Sequence, residues 1–174
     1  MRIQPTTFHE LYSRYAEDVY RFAHWLTGNP ADAEDITSET FVRVWTAPEE
    51  PRMETVKGYL LTIARNLHRQ RQRRSWRESP LEQQTVERAA PDASPAEAAE
   101  KREAFHETLQ AMQQLPELDR TALLLRAEGE LSYEEIAATT GMTAAAARVR
   151  VFRARAKLAE LLQGEKDEHH QKHY

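Results

Sequence analysis

The sequence predicts an all-α protein: two small helical domains, with three helices in the first and four in the second, joined by a flexible linker. The 174-residue chain has only 5 glycines and is rich in Ala, Leu, Glu, Arg and Gln, which lose little freedom in a helix. In most segments apolar residues recur at steps of three and four, the period of an amphipathic helix. Residues 78–93 lack that period and contain Pro80 and Pro91, which is typical of a linker.

In the first domain, residues 1–77, three amphipathic helices are predicted. The first covers about residues 8–27 and opens with Thr7 and Glu10 at the spacing of a capping box. Asn29 is expected to cap the second helix, which runs from Pro30 to about Trp45. The third runs from about Val56 to the mid-seventies, with Lys57, Arg65 and Arg69 on the side opposite its apolar stripe.

The second domain, residues 94–163, shows strong local signals for helix ends. Ser94 with Glu97 and Ser132 with Glu135 have capping-box spacing. Gly141 is expected to stop the helix that begins after Ser132, and Thr143 to cap the last one. That last helix has a single apolar seam: Ala147, Val151, Ala154, Leu158 and Leu161. Residues 164–174 are predicted to be a disordered tail.

Positive charge is concentrated in two segments. Residues 57–77 carry seven basic side chains and residues 143–157 carry five, with no acid in either, although the net charge is −4. This pattern indicates two contacts with a polyanion, the alternative being two solvated helix faces. Residues 78–119 carry ten acids against three basic residues and are expected to cover the basic segments in the free protein.

Residues 132–162 follow the helix-turn-helix pattern, a short helix, a glycine turn and a longer basic helix. The second helix of this motif enters the DNA major groove; the alternative is an ordinary helical hairpin. Opposite the apolar seam, Val149 and Phe152 point outward, where they would suit thymine methyl groups. Packing of Phe152 within its own domain is the alternative.

Aromatic and amide side chains are interleaved with the arginines of the third helix. Tyr59, Asn66, His68 and Trp76 beside basic residues suit unstacked single-stranded bases. Tyr59 as a core residue and Trp76 as cover for a helix end are the alternatives.

Enzymatic chemistry is not predicted, and neither is a cofactor. With no cysteine, a disulfide scaffold, a thiol nucleophile and a Cys-ligated zinc site are excluded. There is no P-loop or dinucleotide turn. No apolar run reaches membrane-spanning length and no leader precedes the first helix, so a cytoplasmic location is expected. His169, His170 and His173 have spacing compatible with metal ligands, but a disordered tail is the preferred interpretation.

Several segments, in the right order, resemble the extracytoplasmic-function (ECF) sigma factors of the sigma-70 family. Residues 32–45 resemble the helix by which those proteins bind core RNA polymerase, and residues 59–66 the start of their promoter-melting helix. Leu115-Pro116, residues 132–137 and residues 153–155 resemble their second DNA-binding domain. Residues 1–77 would then be sigma region 2 and residues 94–163 sigma region 4.

The resemblance implies three sets of site residues and three partners: core RNA polymerase, promoter DNA and an anti-sigma factor. For polymerase binding the residues are Asp35, Glu39, Phe41 and Trp45. For reading the single-stranded minus-ten element they are Lys57, Tyr59, Arg65, Asn66 and Arg69. For reading the duplex minus-thirty-five element they are Arg148, Val149, Phe152, Arg153 and Arg155.

The chain departs from the family pattern at residues 145–150, where Val149 stands in place of a serine. One hydrogen bond to DNA is therefore expected to be missing. The competing hypothesis is a conventional helix-turn-helix regulator with a helical sensory or dimerisation domain, which would bind paired duplex half-sites without polymerase. A purely helical interaction module is a third hypothesis, which the two basic segments disfavour.

Overall fold

The computed structural model describes residues 5–47, 55–75 and 94–171, and within these ranges all regular structure is α-helical. Side chains are described from residue 7 to residue 164 of those ranges. Seven helices occur there: α1 (Pro5–Thr27), α2 (Pro30–Thr46), α3 (Val56–Ser75), α4 (Pro95–Gln114), α5 (Glu117–Ala127), α6 (Tyr133–Thr140) and α7 (Ala144–Gln171). The linker 78–93, Trp76 and His173 lie outside the described residues, as do the side chains of His169 and His170.

Helices α1, α2 and α3 pack around one apolar core. Asn29 caps α2 as predicted, since its side-chain oxygen accepts a 3.1 Å hydrogen bond from the backbone of Asp32. The predicted capping box at Thr7 is wrong, because α1 already begins at Pro5. Proline suits a first helical turn, where its fixed φ is helical and no backbone donor is needed.

Helices α4 to α7 form the second half, and their ends follow the local signals. Ser94 accepts a hydrogen bond from the Glu97 backbone. Ser132 and Glu135 form a complete capping box, with reciprocal bonds of 3.2 and 2.9 Å. Gly141 ends α6 at φ 75°, in the left-handed region that glycine adopts without strain.

Helix α7 is longer than predicted. Its apolar seam is confirmed, with Ala147, Val151 and Ala154 buried and Leu158 and Leu161 packed against the core. The helix then continues through Gly164 to Gln171, so the prediction of a disordered tail from residue 164 is wrong up to residue 171. A single glycine costs only about 1 kcal/mol in a helix, and Glu165 and Lys166 are good helix formers.

The two halves pack directly on each other: α1 contacts α4 and α5, and α3 contacts α5 and bonds to Thr139 of α6. Arg21 and Glu128 form a 2.8 Å ion pair across this contact. Gln113 Nε2 donates a 2.9 Å hydrogen bond to the backbone oxygen of Trp25. A Cβ on Gly129 would lie 2.6 Å from the Leu131 side chain, 2.7 Å from the Leu125 backbone oxygen and 3.0 Å from the Leu61 side chain of the other half, so this position has no room for a side chain.

Candidate nucleic-acid interfaces

The outer face of α7 is exposed, as helical geometry predicted. Phe152 is 76% exposed, and Val149 is also exposed. The alternative in which Phe152 packs within its own domain is therefore wrong. Apolar side chains presented to water on a basic helix suit contact with the thymine methyl groups of a major groove.

Arg148 lies beside this face and is held by an aromatic ring. Its guanidinium carbon is 5.1 Å from the centre of the Tyr133 ring. Arg126 approaches the same ring at 5.0 Å and donates a 2.8 Å hydrogen bond to the backbone oxygen of Leu131. Cation–π contacts of this kind favour one side-chain orientation, so Arg148 is partly preorganised at the edge of the exposed face.

Two further arginines of α7 converge on one carboxylate. Asp119 of α5 is 3% exposed and accepts hydrogen bonds from Arg150 and Arg153. Burial alone would raise the pKa of Asp119, but the hydrogen bonds from Arg153 and Arg150 outweigh it and hold that pKa below its usual value. Sequence reasoning missed Asp119; its only signal is an acid within a strongly apolar helix.

The remaining basic residues of α7 are exposed. Arg155 lies on the surface. Lys157 pairs with Glu160 one turn later, at 3.3 Å. An exposed pair of this kind contributes little stability, so Lys157 can exchange Glu160 for a phosphate at low cost.

The predicted minus-ten residues on α3 are in different environments. Asn66 and Arg69 are exposed, and Tyr59 is half-buried against the core. Lys57 Nζ lies 3.6 Å from a carboxylate oxygen of Asp18. These four residues thus do not form one continuous exposed patch.

Arg65 differs most from expectation. Helical geometry placed it on the outer side of its helix, but it is only 2% exposed, because α6 of the second half covers it. Its Nη1 donates to the backbone oxygen of Thr139 at 2.9 Å and to the Asn66 side chain at 3.3 Å. Nε and Nη2 have no hydrogen-bond partner among the described residues. Burial, and then the charge of Arg69, lower the pKa of Arg65.

One helical turn after Arg65, α3 carries a buried histidine, His68. Burial lowers the pKa of His68 to about 4, and the charges of Arg120, Arg65 and Arg71 act in the same direction. Glu117 of α5 lines the same cleft as His68. This imidazole is neutral at neutral pH and forms part of the packing between α3 and the second half.

The acidic side of α2 is exposed and partly neutralised by α3. Arg71 lies 3.4 Å from Asp35, 3.7 Å from Asp32 and 3.9 Å from Glu39. Arg43 also pairs with Glu39 at 3.2 Å. Ion pairs this exposed contribute little stability, so these carboxylates can leave their arginines for a partner protein.

The aromatic residues at the end of α2 divide into one core residue and one surface residue. Phe41 is 1% exposed and packs edge-on against Tyr12, with ring centres 4.8 Å apart. The prediction that Phe41 faces a partner is therefore wrong, because its ring fills the core. Trp45 is exposed and rests on Phe8 with ring centres 4.9 Å apart, so its outer face is open to a partner.

Comparisons with known proteins match both halves of the chain to one family. The family model "Sigma-70 region 2" matches residues 11–78, and "Sigma-70, region 4" matches residues 105–158. The ECF RNA polymerase sigma factor SigM of Bacillus subtilis is 32% identical over 157 residues, which cover 89% of this chain and 94% of SigM. The ECF sigma factor SigE of Mycolicibacterium smegmatis is 36% identical over 159 residues, 88% of this chain but only 60% of SigE.

Solved structures show the same fold. The sigma factor RpoE of Bartonella quintana, crystallised with the anti-sigma factor NepR, aligns with a TM-score of 0.72 at 24% identity over 90% of this chain and 96% of RpoE. CnrH, solved with the cytosolic domain of CnrY, aligns with a TM-score of 0.65 at 23% identity over 92% of this chain and 90% of CnrH. The fold agrees with the sequence matches, and those sequence matches establish that the chain belongs to the ECF group of the sigma-70 family of RNA polymerase sigma factors.

Proposed function

We propose that this chain directs core RNA polymerase to promoters through three surfaces. The acidic side of α2 with Trp45 binds the polymerase, α3 reads the melted minus-ten strand, and the outer face of α7 reads the minus-thirty-five duplex. The observation that carries the proposal is that outer face, because Phe152 stands 76% exposed beside the arginines of α7. An apolar ring in water is unfavourable, whereas a major groove offers it thymine methyl groups.

The proposed role needs no catalytic group or cofactor of the chain's own. Bond formation belongs to the polymerase, and the chain supplies position and base recognition. None of the helices in the described ranges combines the length and apolar character that crossing a bilayer requires. We place the protein in the bacterial cytoplasm, where promoter DNA and polymerase meet.

An anti-sigma factor is a further proposed partner. The structural relative RpoE was solved with the anti-sigma factor NepR. We infer that a protein of that class holds this chain inactive until a signal releases it.

The proposal is tested by reconstitution. Core RNA polymerase mixed with the chain is expected to produce transcripts from promoters selected from a random library, and core polymerase alone is not. A conventional helix-turn-helix regulator would instead bind selected duplex sites without polymerase and yield no transcripts. That result would overturn the proposal.

The polymerase contact has its own test. Replacing Asp35 and Glu39 by arginine puts cations where the proposal needs anions, so binding to core polymerase is expected to be lost. Both residues are surface acids, and the fold should survive, as circular dichroism would show. Glu103→Arg, an exposed acid on α4, is the matched control and should leave binding intact. Unchanged holoenzyme formation by the double variant would contradict the assignment of α2.

A further inference from the structure

We propose that Asp119 is a positioning residue that presents one edge of the Arg153 guanidinium to DNA and thereby favours guanine at one minus-thirty-five position. The inference rests on the proposed function, because it assumes that α7 reads bases. Asp119 itself lies on α5, beneath the recognition helix, and has no need to touch DNA.

The hydrogen bonds between the two residues define the geometry. Arg153 Nε donates to Asp119 Oδ2 at 3.3 Å, and Nη2 approaches both carboxylate oxygens at 3.2 Å. The carboxylate therefore occupies the side of the guanidinium formed by Nε and Nη2. Arg153 is otherwise exposed, next to Phe152 on the outer face of α7.

The planar guanidinium has a second edge, made by Nη1 and the remaining hydrogen of Nη2. Nη1 of Arg153 donates to no residue in the part of the chain that the structure describes. The spacing of this edge matches the O6 and N7 acceptors of guanine. Adenine presents an amino donor where guanine has O6, so the same edge would meet it donor to donor.

The carboxylate also restrains the side chain before DNA arrives. A free arginine loses rotamer freedom when it binds, whereas one already held by a buried carboxylate loses less. Asp119 suits this task because it is buried and fixed from a second side by Arg150, whose Nη1 donates to Oδ1 at 2.6 Å. The Asp119 carboxylate thus connects α7 to α5 and orients Arg153, which faces outward.

The experiment is transcription by holoenzyme from a library of single-base minus-thirty-five variants. Arg153→Ala is expected to abolish the guanine preference at one position. Asp119→Asn places an amide donor against the donors of Arg153, so it is expected to weaken the same guanine preference. The expected reduction is about fivefold or more, which is the lower end of the discrimination between bases that a bidentate arginine contact gives. In an Arg153→Ala background, Asp119→Asn should change that preference no further.

A merely structural or electrostatic role gives a different result. Removing an acid near the DNA would raise transcription from all variants alike. Arg150→Ala is the matched control: it removes the hydrogen bond that Arg150 donates to Asp119 but leaves those from Arg153, so it should reduce the guanine preference less than Asp119→Asn does. Asp119→Glu, which retains the charge but moves the carboxylate, should weaken the preference and serves if Asp119→Asn fails to fold.

The outcomes separate the two proposals. No promoter-dependent transcript from the wild-type holoenzyme would overturn the proposed function itself. If the wild type shows base preferences but Asp119→Asn leaves them unchanged, or if Arg153→Ala alters no base preference, the role of Asp119 is overturned while the proposed function stands.

Discussion

Nη1 of Arg65 donates a 2.9 Å hydrogen bond to the backbone oxygen of Thr139, a residue 74 positions later in the other half of the molecule. Beside it, the hydroxyls of Thr62 and Thr139 lie 3.3 Å apart. A residue proposed to read the minus-ten strand is thus covered by the helix that precedes the recognition helix. Single-stranded DNA and α6 cannot both occupy this side of Arg65, so the proposed reading of the minus-ten strand by Arg65 would require the two halves to separate.

Separation of the halves can be promoted by one substitution. Thr139→Arg places a cation against the buried charge of Arg65, and the repulsion is expected to shift the molecule towards an open form that binds single-stranded minus-ten DNA more tightly. Thr139→Ser keeps the hydroxyl and the backbone acceptor and is the matched control. Because the chain has no cysteine, dyes on introduced cysteines at the exposed positions 38 and 160 would report the separation as reduced energy transfer. Equal energy transfer in Thr139→Arg and Thr139→Ser would contradict the expected separation of the two halves.

Phe41 and Trp45 are expected to respond in opposite ways to truncation. Phe41→Ala empties a core position and should lower the free energy of unfolding by about 3–5 kcal/mol. Trp45→Ala removes a surface ring and should change stability by about 1 kcal/mol while weakening binding to core polymerase. Urea denaturation and a polymerase pull-down measure the two effects. A large stability loss at Trp45 with unchanged polymerase binding would reverse the assignment.

The outer face of α7 is expected to contain both base-reading and phosphate-binding residues. Arg148→Ala should change which minus-thirty-five bases are preferred, because Arg148 is held beside the exposed face by Tyr133. Lys157→Ala should lower affinity for all sequences alike and reduce the salt dependence, as loss of a phosphate contact does. Val149→Ser should shift preference at one base, since it adds a hydroxyl and removes an apolar contact. If all three variants change transcription from every minus-thirty-five variant by the same factor, this face does not read bases.

His68 is expected to make the fold sensitive to mild acid. Its pKa is about 4 in the folded chain against about 6.5 in an unfolded one. Below pH 6.5 the unfolded state therefore takes up a proton that the folded state takes up only near pH 4, and stability falls through that window by up to about 3 kcal/mol. Urea midpoints at pH 7.5 and pH 5 should differ less for His68→Gln than for the wild type. The same difference in both proteins would show that another group is responsible.

Local signals allowed much of this fold to be predicted from the sequence. Asn29, Ser132 and Gly141 act within one helical turn of their own positions, so their roles depend on chemistry that neighbouring residues already specify. The seam of α7 was predictable for a similar reason, because Ala147, Val151 and Ala154 share a face through helical geometry alone.

Residues whose environment depends on distant packing were not predictable in this way. Helical periodicity correctly placed Arg65 opposite the apolar stripe of α3, yet it could not show that α6 covers that side. Phe41 and Trp45 are both aromatic, and only the position of α1 separates the core ring from the surface ring. The pairing of Asp119 with Arg150 and Arg153 depends on the contact between α5 and α7, which the sequence alone does not show.

The exposed ring of Phe152 affects how DNA binding should vary with temperature. If α7 reads duplex DNA as proposed, the Phe152 ring leaves water when the complex forms, and burial of apolar surface lowers the heat capacity of the complex. The binding enthalpy then becomes more negative on warming, so affinity passes through a maximum instead of changing steadily. Phe152→Ala should flatten that curve in proportion to the apolar area that the ring contributes.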